Sequence, residues 1–118
     1  METIFLSPAP MPYLTDCNLK RFGINEYHCS RCCGYFVLIF MLKNTLQFTE
    51  NGILTTLHPG EWYIQRKNIR QDASRPSPKA EYYYIHFEAA YTEDRTNRLM
   101  LPVRGTFQPG LFLPLLQQ

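Results

Sequence analysis

The stretch from Tyr35 to Gln71 constrains the fold of this chain most strongly, because its pattern predicts several β-strands separated by two tight turns. It begins with eight consecutive apolar residues, Tyr35 to Leu42. The run is too short to cross a membrane and is rich in β-branched and aromatic residues, which suit a pleated surface. We therefore predict a strand that is buried on both faces.

After this apolar run, apolar and polar residues alternate, which predicts a half-exposed strand with Leu46 and Phe48 on its buried face. Asn51-Gly52 follows and offers the two positive-φ positions that a tight hairpin turn requires. On the returning strand, Ile53, Thr55 and Leu57 share one face. This hairpin is the strongest local prediction in the sequence.

A second turn is predicted at Pro59-Gly60, because proline sets φ at its first corner and glycine accepts positive φ at its second. An extended segment, Glu61 to Gln65, follows the turn. Trp62 and Tyr63 must point to opposite sides of it, so we expect one of the two rings inside the fold.

Length and composition indicate a single all-β domain. A chain of 118 residues is long enough for one hydrophobic core. Aromatic residues make up 14% of it, and no window of helical length carries a sustained apolar stripe, so little helix is expected. The formal charge of +2 gives no general attraction to nucleic acid, so the class of partner must be inferred from motifs.

The two ends of the chain have separate interpretations. Residues 1–20 are predicted to be an arm lying over the fold, because they carry three prolines that cannot serve in a central strand. The arm has no basic region that would indicate a secretory signal, so a cytoplasmic location is expected. The apolar end, Leu111 to Gln118, suggests that the sequence is cut from a longer one.

Between these ends, a first strand is predicted around Phe22, Ile24 and Tyr27. A last strong strand is predicted over Ala80 to Ala89, with one face carrying Tyr82, Tyr84 and His86. Two segments lack periodicity and are predicted to be connections or turns: Asn68 to Lys79 and Arg104 to Gly110.

The segment from Arg31 to Phe87, about half of the chain, resembles the N-terminal effector-binding domain of AraC-type transcription regulators. Four features in order carry the resemblance. The first two are an arginine, Arg31, shortly before an apolar strand, and the Asn51-Gly52 hairpin. The third is Pro59-Gly60-Glu61-Trp62-Tyr63-Ile64, where the family has a Gly-Asp step and apolar residues, and the fourth is Tyr82-Tyr83-Tyr84-Ile85-His86-Phe87, where the family has an aromatic strand ending in His-Phe. Their order and spacing are more specific than any one motif.

This resemblance implies a cupin-like double-stranded β-helix, a jelly-roll barrel, with an N-terminal arm at residues 1–20 and a ligand-binding domain at residues 21–118. It also implies a sensory domain that binds a small effector, such as a sugar, inside the barrel and forms a homodimer. In that family, a separate C-terminal domain with two helix-turn-helix motifs binds DNA, and no such domain is expected in this chain. No membrane partner and no catalytic activity are expected.

The same resemblance implies a set of ligand-binding residues. Arg31 would enter the barrel from its rim, where a guanidinium offers paired donors to hydroxyls or carboxylates. Tyr82, Tyr84 and His86 would face the pocket, and Gln71 and Asp72 would lie at its mouth. Each also has an ordinary structural interpretation: a rim arginine, core tyrosines, a hydrogen-bonded histidine, and loop polar residues.

Metal binding is disfavoured by the residues present. Gln71 stands where many cupins hold a metal-ligand histidine, Lys67 replaces a proline common nearby, and no His-x-His pair occurs. No cofactor and no catalytic residue are therefore predicted. A stand-alone cupin enzyme, a metal-dependent isomerase or dioxygenase, remains the alternative.

The cysteines allow a further alternative. Cys29 and Cys32 have the spacing at which two thiolates can hold one ion, and His28 and Cys17 could complete a tetrahedral zinc site. No second close cysteine pair follows them. We expect reduced thiols, and a zinc-stabilised interaction domain is the third hypothesis.

Overall fold

The structure is a computed structural model that describes residues 2–110, and within this range the chain forms eleven β-strands. The apolar end, Leu111 to Gln118, lies outside the described residues. In chain order the strands are β1 (Thr3–Leu6), β2 (Tyr13–Arg21), β3 (Arg31–Cys32), β4 (Phe36–Lys43), β5 (Leu46–Glu50), β6 (Ile53–Leu57), β7 (Glu61–Gln65), β8 (Arg70–Asp72), β9 (Glu81–Glu88), β10 (Leu99–Pro102) and β11 (Arg104–Thr106).

Every ladder between these strands is antiparallel, and the strands assemble into three sheets. A five-stranded sheet has the order β11-β7-β4-β9-β2, a four-stranded sheet has the order β3-β8-β5-β6, and β1 pairs with β10. Between β2 and β9, the chain crosses from one of the two larger sheets to the other after every strand except β5. The predicted all-β class is confirmed, and the two larger sheets form a sandwich of jelly-roll type.

The core lies between the two larger sheets and receives side chains from both. Strand β4 contributes Ile39 and Met41, and strand β5 contributes Leu46 and Phe48, each with at most 1% of its surface exposed. The Phe48 ring meets the Tyr63 ring edge-on, with 5.4 Å between centroids. The prediction that the first apolar run is a strand buried on both faces is confirmed, since consecutive β4 residues are buried.

Both predicted turns are confirmed. Asn51 and Gly52 have φ values of 51° and 77°, so the hairpin between β5 and β6 has the two positive-φ corners that its sequence predicts. Gly60 has a φ of 86°, and the N–H of Glu61 donates to the carbonyl oxygen of His58 at 3.0 Å, which closes the second turn.

Beyond the second turn, strand β7 has the predicted bounds, and Tyr63 is the aromatic residue that enters the sandwich. Trp62 lies on the outer face of the sheet over Gly105, its register partner on β11. A β-carbon at position 105 would lie 2.5 Å from the indole ring, so this close approach requires glycine.

The predicted first strand is wrong. The strand in this part of the chain is β2, which ends at Arg21. Phe22 is buried against the ring of Tyr82, but Ile24 and Tyr27 are 63% and 50% exposed and lie outside the strands. Phe22 is therefore a core residue that lies just beyond the end of β2.

Three further segments form strands where the sequence predicted none. Strand β8 lies within the predicted connection Asn68 to Lys79, and β11 lies within the predicted turn region Arg104 to Gly110. Within residues 1–20, predicted to be an arm, lie β1 and nearly all of β2. No helix within the described range is long and apolar enough to span a membrane.

Candidate ligand-binding site

A cavity of about 190 Å³ opens on the inner face of the five-stranded sheet, beside the exposed strand β2. Seven residues line it: Lys20, Cys29, Arg31, Val37, Tyr82, Tyr84 and His86. Four of the six ligand-binding residues predicted from the sequence are therefore brought together: Arg31, Tyr82, Tyr84 and His86.

Strand register explains why these side chains converge. Tyr82, Tyr84 and His86 alternate along β9 and share one face, opposite Lys20 of β2 and Val37 of β4. Arg31 comes from β3 in the other large sheet. The cavity thus has one wall from each sheet, and a ligand inside it can contact both.

Two of the lining rings, Tyr84 and His86, pack against each other, and Tyr35 extends this group beside the cavity. The ring of His86 lies 4.9 Å from that of Tyr84 and 4.5 Å from that of Tyr35, measured between centroids. Burial lowers the pKa of His86, and the nearby charge of Arg31 lowers it further. Burial also raises the pKa of the Tyr82 phenol. At neutral pH, these side chains offer neutral hydrogen-bonding groups and ring surfaces.

Arg31 is held by two glutamines. Its Nη2 donates to Oε1 of Gln65 at 3.0 Å, and its Nε donates to Oε1 of Gln71 at 3.3 Å. Both glutamine side chains are buried, with at most 1% of their surface exposed. An amide oxygen is neutral, so these bonds orient the guanidinium without cancelling its charge. Among residues 2–110, no carboxylate forms an ion pair with Arg31.

Behind Gln65 lies His28, of which only 3% is exposed. Its Nε2 accepts from the amide nitrogen of Gln65 at 2.8 Å, and its Nδ1 donates to the carbonyl oxygen of Cys29 at 2.7 Å. This pattern suits a neutral imidazole. Burial lowers the pKa of His28 to about 4, and the charge of Arg31 acts in the same direction.

These contacts bear on the zinc alternative, because both ring nitrogens of His28 are engaged with protein groups. Cys17, Cys29, Cys32 and Cys33 are free thiols, of which only Cys33 is buried. No group of three or more His, Cys, Asp or Glu side chains in the described part of the chain could hold a metal ion. The geometry therefore does not favour the site considered from the cysteine spacing.

Behind Gln71 lies a buried carboxylate. The amide nitrogen of Gln71 donates to Oε2 of Glu50 at 3.3 Å, and Glu50 is only 1% exposed. Glu50 also accepts from the hydroxyl of Tyr63 at 2.9 Å and from Nε of Arg66 at 2.8 Å. Nη1 of Arg66 contacts the carboxylate of Glu2 at 2.7 Å. A hydrogen-bonded chain thus runs from Arg31 through Gln71 and Glu50 to Arg66.

The remaining two predicted residues do not line the cavity. Gln71 is buried behind Arg31, deeper than the mouth position implied by the family resemblance. Asp72 lies half-exposed at the end of β8, where its carboxylate accepts from Arg70 at 3.0 Å. Gln71 is thus a support for Arg31, and Asp72 belongs to a separate surface ion pair.

Other residues of the site were not singled out as ligand-contacting or supporting groups: Lys20, Cys29, Val37, Glu50 and Gln65. One of them could have been predicted from the alternation of side chains along β7, since Gln65 must share the buried face of Tyr63. Lys20 had no such signal, because β2 was not predicted as a strand. Glu50 could be placed only by knowing which strands cross the sandwich.

Comparison with known proteins gives one informative relative. No protein-family model matches the chain. Over 89 residues it is 27% identical to YisR of Bacillus subtilis (strain 168), described as an uncharacterized HTH-type transcriptional regulator. The match covers 75% of this chain and 31% of the relative, so the chain spans about a third of the relative's length. This similarity supports a role in transcription regulation.

Proposed function

We propose that the chain is the effector-binding and dimerisation domain of an AraC-type transcription regulator, and that the effector binds in the Arg31 cavity. The observation that carries this proposal is the arginine itself, which two buried glutamines orient towards a cavity lined by Tyr82, Tyr84 and His86. The similarity to a helix-turn-helix regulator and the jelly-roll topology support the same function.

The two-sided construction of the cavity gives a physical basis for sensing. A ligand can shift a conformational equilibrium only if it binds one state better than the other. A ligand that contacts Arg31 and Tyr84 together would favour the state in which the two sheets hold their present spacing. If the ligand binds that state alone, a concentration one hundred times Kd stabilises it by about 2.7 kcal/mol.

The regulatory output would come from a separate domain. In the proposed arrangement, two copies of this domain associate, and DNA is bound by a helix-turn-helix domain on the C-terminal side of each. Most of the length of the B. subtilis relative lies outside the matched region, which leaves room for the helix-turn-helix part that its description names. The proposed setting is the cytoplasm.

The proposal is of binding without chemical transformation. The seven residues that line the cavity include no carboxylate, so the described part of the site lacks the pair of carboxyl groups that most glycoside hydrolases use. The buried carboxylate of Glu50 is separated from Arg31 by Gln71 and is occupied by Tyr63 and Arg66.

A matched pair of variants tests the cavity. Cys29 is exposed and lines the cavity, so Cys29→Trp should fill its mouth, whereas Cys17 is exposed on β2 outside the lining. We would screen small metabolites for compounds that raise the thermal unfolding temperature of the purified chain and confirm binding by calorimetry. The expected result is stabilisation that persists in Cys17→Trp and is lost in Cys29→Trp.

Two outcomes would contradict the proposal. One is that Cys29→Trp leaves the binding of every stabilising compound unchanged, which would place the ligand elsewhere. The other concerns the complete gene product: a compound that saturates the cavity yet changes neither DNA affinity nor reporter expression would exclude the sensory role. Turnover of the bound compound would favour the enzyme alternative.

A further inference from the structure

We propose that the effector is a small organic acid whose carboxylate binds Arg31. This inference rests on the proposed function and names the chemical class of its ligand. The sequence alone left both hydroxyls and carboxylates open as partners for the guanidinium, with a sugar as the example of an effector. The surroundings of Arg31 distinguish between them.

The first observation is the pattern of donors that Arg31 uses. A guanidinium has five N–H groups, and the two bonds to Gln65 and Gln71 use one on Nη2 and the one on Nε. The second N–H of Nη2 and both of Nη1 make no hydrogen bond to the described residues. One N–H of Nη1 and the remaining N–H of Nη2 form the terminal edge of the guanidinium, one of the two edges that can bind a carboxylate through two parallel bonds.

The second observation is the charge balance of the cavity. Its lining contains two cations, Arg31 and Lys20, and no carboxylate. Lys20 is partly compensated by Glu26 at 3.1 Å, but both of those side chains are substantially exposed, so water screens the pair. The acid facing the site from β2 is Asp16, the register partner of His86; it is exposed and does not line the cavity.

The positive charge of Arg31 also acts on its neighbours. Burial first, and then the charge of Arg31, lowers the pKa of His86 and of His28, so neither imidazole adds positive charge at neutral pH. A neutral ligand would leave a partly buried cation without a counter-charge. An anion would supply that counter-charge and replace the lost hydration of both groups with directed hydrogen bonds.

The third observation is size. A volume of about 190 Å³ corresponds to about six water molecules at ~30 Å³ each. This space suits a carboxylate with a short apolar, hydroxylated or single-ring body and is too small to enclose a whole nucleotide. The rings of Tyr82 and Tyr84 and the side chain of Val37 offer surface to such a body.

The test uses pairs of probes that differ in charge and hardly in shape: lactate and lactamide, propionate and propionamide, benzoate and benzamide. Xylose and glycerol serve as neutral hydroxylated probes. Binding to the purified chain is followed by calorimetry and by backbone amide shifts, with ionic strength held constant by sodium chloride. We expect at least one carboxylate to bind about tenfold more tightly than its amide, as one charge-assisted bond allows.

Three variants locate the effect. Arg31→Gln should abolish the preference for carboxylate, and Arg31→Lys, which keeps the charge without the planar fork, should weaken carboxylate binding about tenfold. Arg95→Gln removes an exposed arginine outside the cavity lining and should change nothing. If Arg31→Gln fails to fold, Arg31→Lys still gives the answer.

Equal affinity for carboxylates and amides, carboxylate binding that survives both Arg31 variants, or no carboxylate binding at all would overturn the inference. The proposed function has a different point of failure. Suppose that xylose or another neutral compound stabilises the chain and that this effect is lost in Cys29→Trp. The proposal that the cavity binds an effector would then stand, and only the inference that the effector is an anion would fail. Failure of charged and neutral compounds alike to bind there would count against both proposals.

Discussion

Arg31 and Arg66 lie at opposite ends of one hydrogen-bonded chain, but the protein balances their positive charges differently. Arg66 donates to the buried carboxylate of Glu50 and also contacts Glu2, so anions within the protein balance its charge. Arg31 donates only to amide oxygens among the described residues. The partners of these two arginines, rather than their burial, thus separate the structural role of Arg66 from the ligand-binding role that we propose for Arg31.

The largest effect is expected from removing the carboxylate on the Arg66 side. Glu50→Leu would leave the guanidinium of Arg66, the hydroxyl of Tyr63 and the amide of Gln71 without their acceptor. We expect the free energy of unfolding, measured by urea denaturation, to fall by about 3–5 kcal/mol. Glu2→Gln is the control, because Glu2 is the outer, 57% exposed partner of the same arginine and should cost less than about 1 kcal/mol. Equal losses in the two variants would contradict the assignment of Glu50 as the structural partner.

A second effect concerns the histidine behind Arg31. The pKa of His28 is about 4 in the folded chain and 6.5 in the reference state. The unfolded chain therefore binds more protons between these values, so stability should be highest above pH 6.5 and fall as the pH drops towards 4. The loss attributable to His28 is about 3 kcal/mol at 1.36 kcal/mol per pKa unit.

Urea denaturation of the chain and of His28→Gln at pH 7, 5 and 4 isolates this contribution, because other titrating groups are common to both proteins. The variant should lose less stability over this range. Parallel pH profiles would show that His28 is not held neutral by its contacts.

A third effect is expected when the environment of Arg31 is changed to resemble that of Arg66. Gln65→Glu would place a carboxylate against Nη2 of Arg31, which would then resemble Arg66. We expect carboxylate probes to bind about tenfold more weakly, a loss of ~1.4 kcal/mol, although the cavity lining is untouched. Because the new carboxylate would favour the charged form of the adjacent imidazole, the pKa of His28 should rise, which NMR titration can follow.

Gln47→Glu is the matched control for this variant. It adds the same charge on β5, where Gln47 contacts Thr56 and lies outside the Arg31 cavity. Carboxylate binding should be unaffected by it. If Gln65→Glu binds carboxylates as tightly as the original chain does, the uncompensated charge of Arg31 is not what attracts them.

The smallest effect is expected at Asp72. Hydrogen bonds from Arg70 and then Ser30 lower the pKa of this exposed carboxyl. Exposed ion pairs contribute little, so Asp72→Asn should leave both the unfolding transition and carboxylate binding unchanged within error. A clear change in ligand affinity, measured by calorimetry, would return Asp72 to the site in which the family resemblance placed it.

Local patterns were enough to predict the centre of the fold. The turns at Asn51-Gly52 and Pro59-Gly60 need particular backbone angles that few residues adopt, so their sequence is informative on its own. The apolar run of β4 was equally clear. Strand β2 was missed because most of its residues are exposed, so no alternation of apolar and polar residues indicates it. Strands β8 and β11 are short and polar, and their pairing with distant strands overrides their weak propensity.

The site was partly predictable for a related reason. Alternation along one strand was sufficient to group Tyr82, Tyr84 and His86, and the resemblance supplied Arg31. The support for that arginine comes from Gln65 on β7 and Gln71 on β8, which belong to different sheets. Such contacts form only when the two sheets pack together, and the local periodicity of a sequence does not show how sheets pack.

The pairing of β2 with β9 also has a consequence for the order of assembly. The β5–β6 hairpin joins neighbours in sequence, whereas Lys20 reaches Tyr82 only after most of the chain has been brought together. Closing so long a loop costs more entropy than closing a hairpin, and contacts between distant residues form late. We therefore expect the β2 side of the cavity to be completed after the sandwich has formed, so that the proposed ligand-binding surface belongs to the last part of the domain to fold.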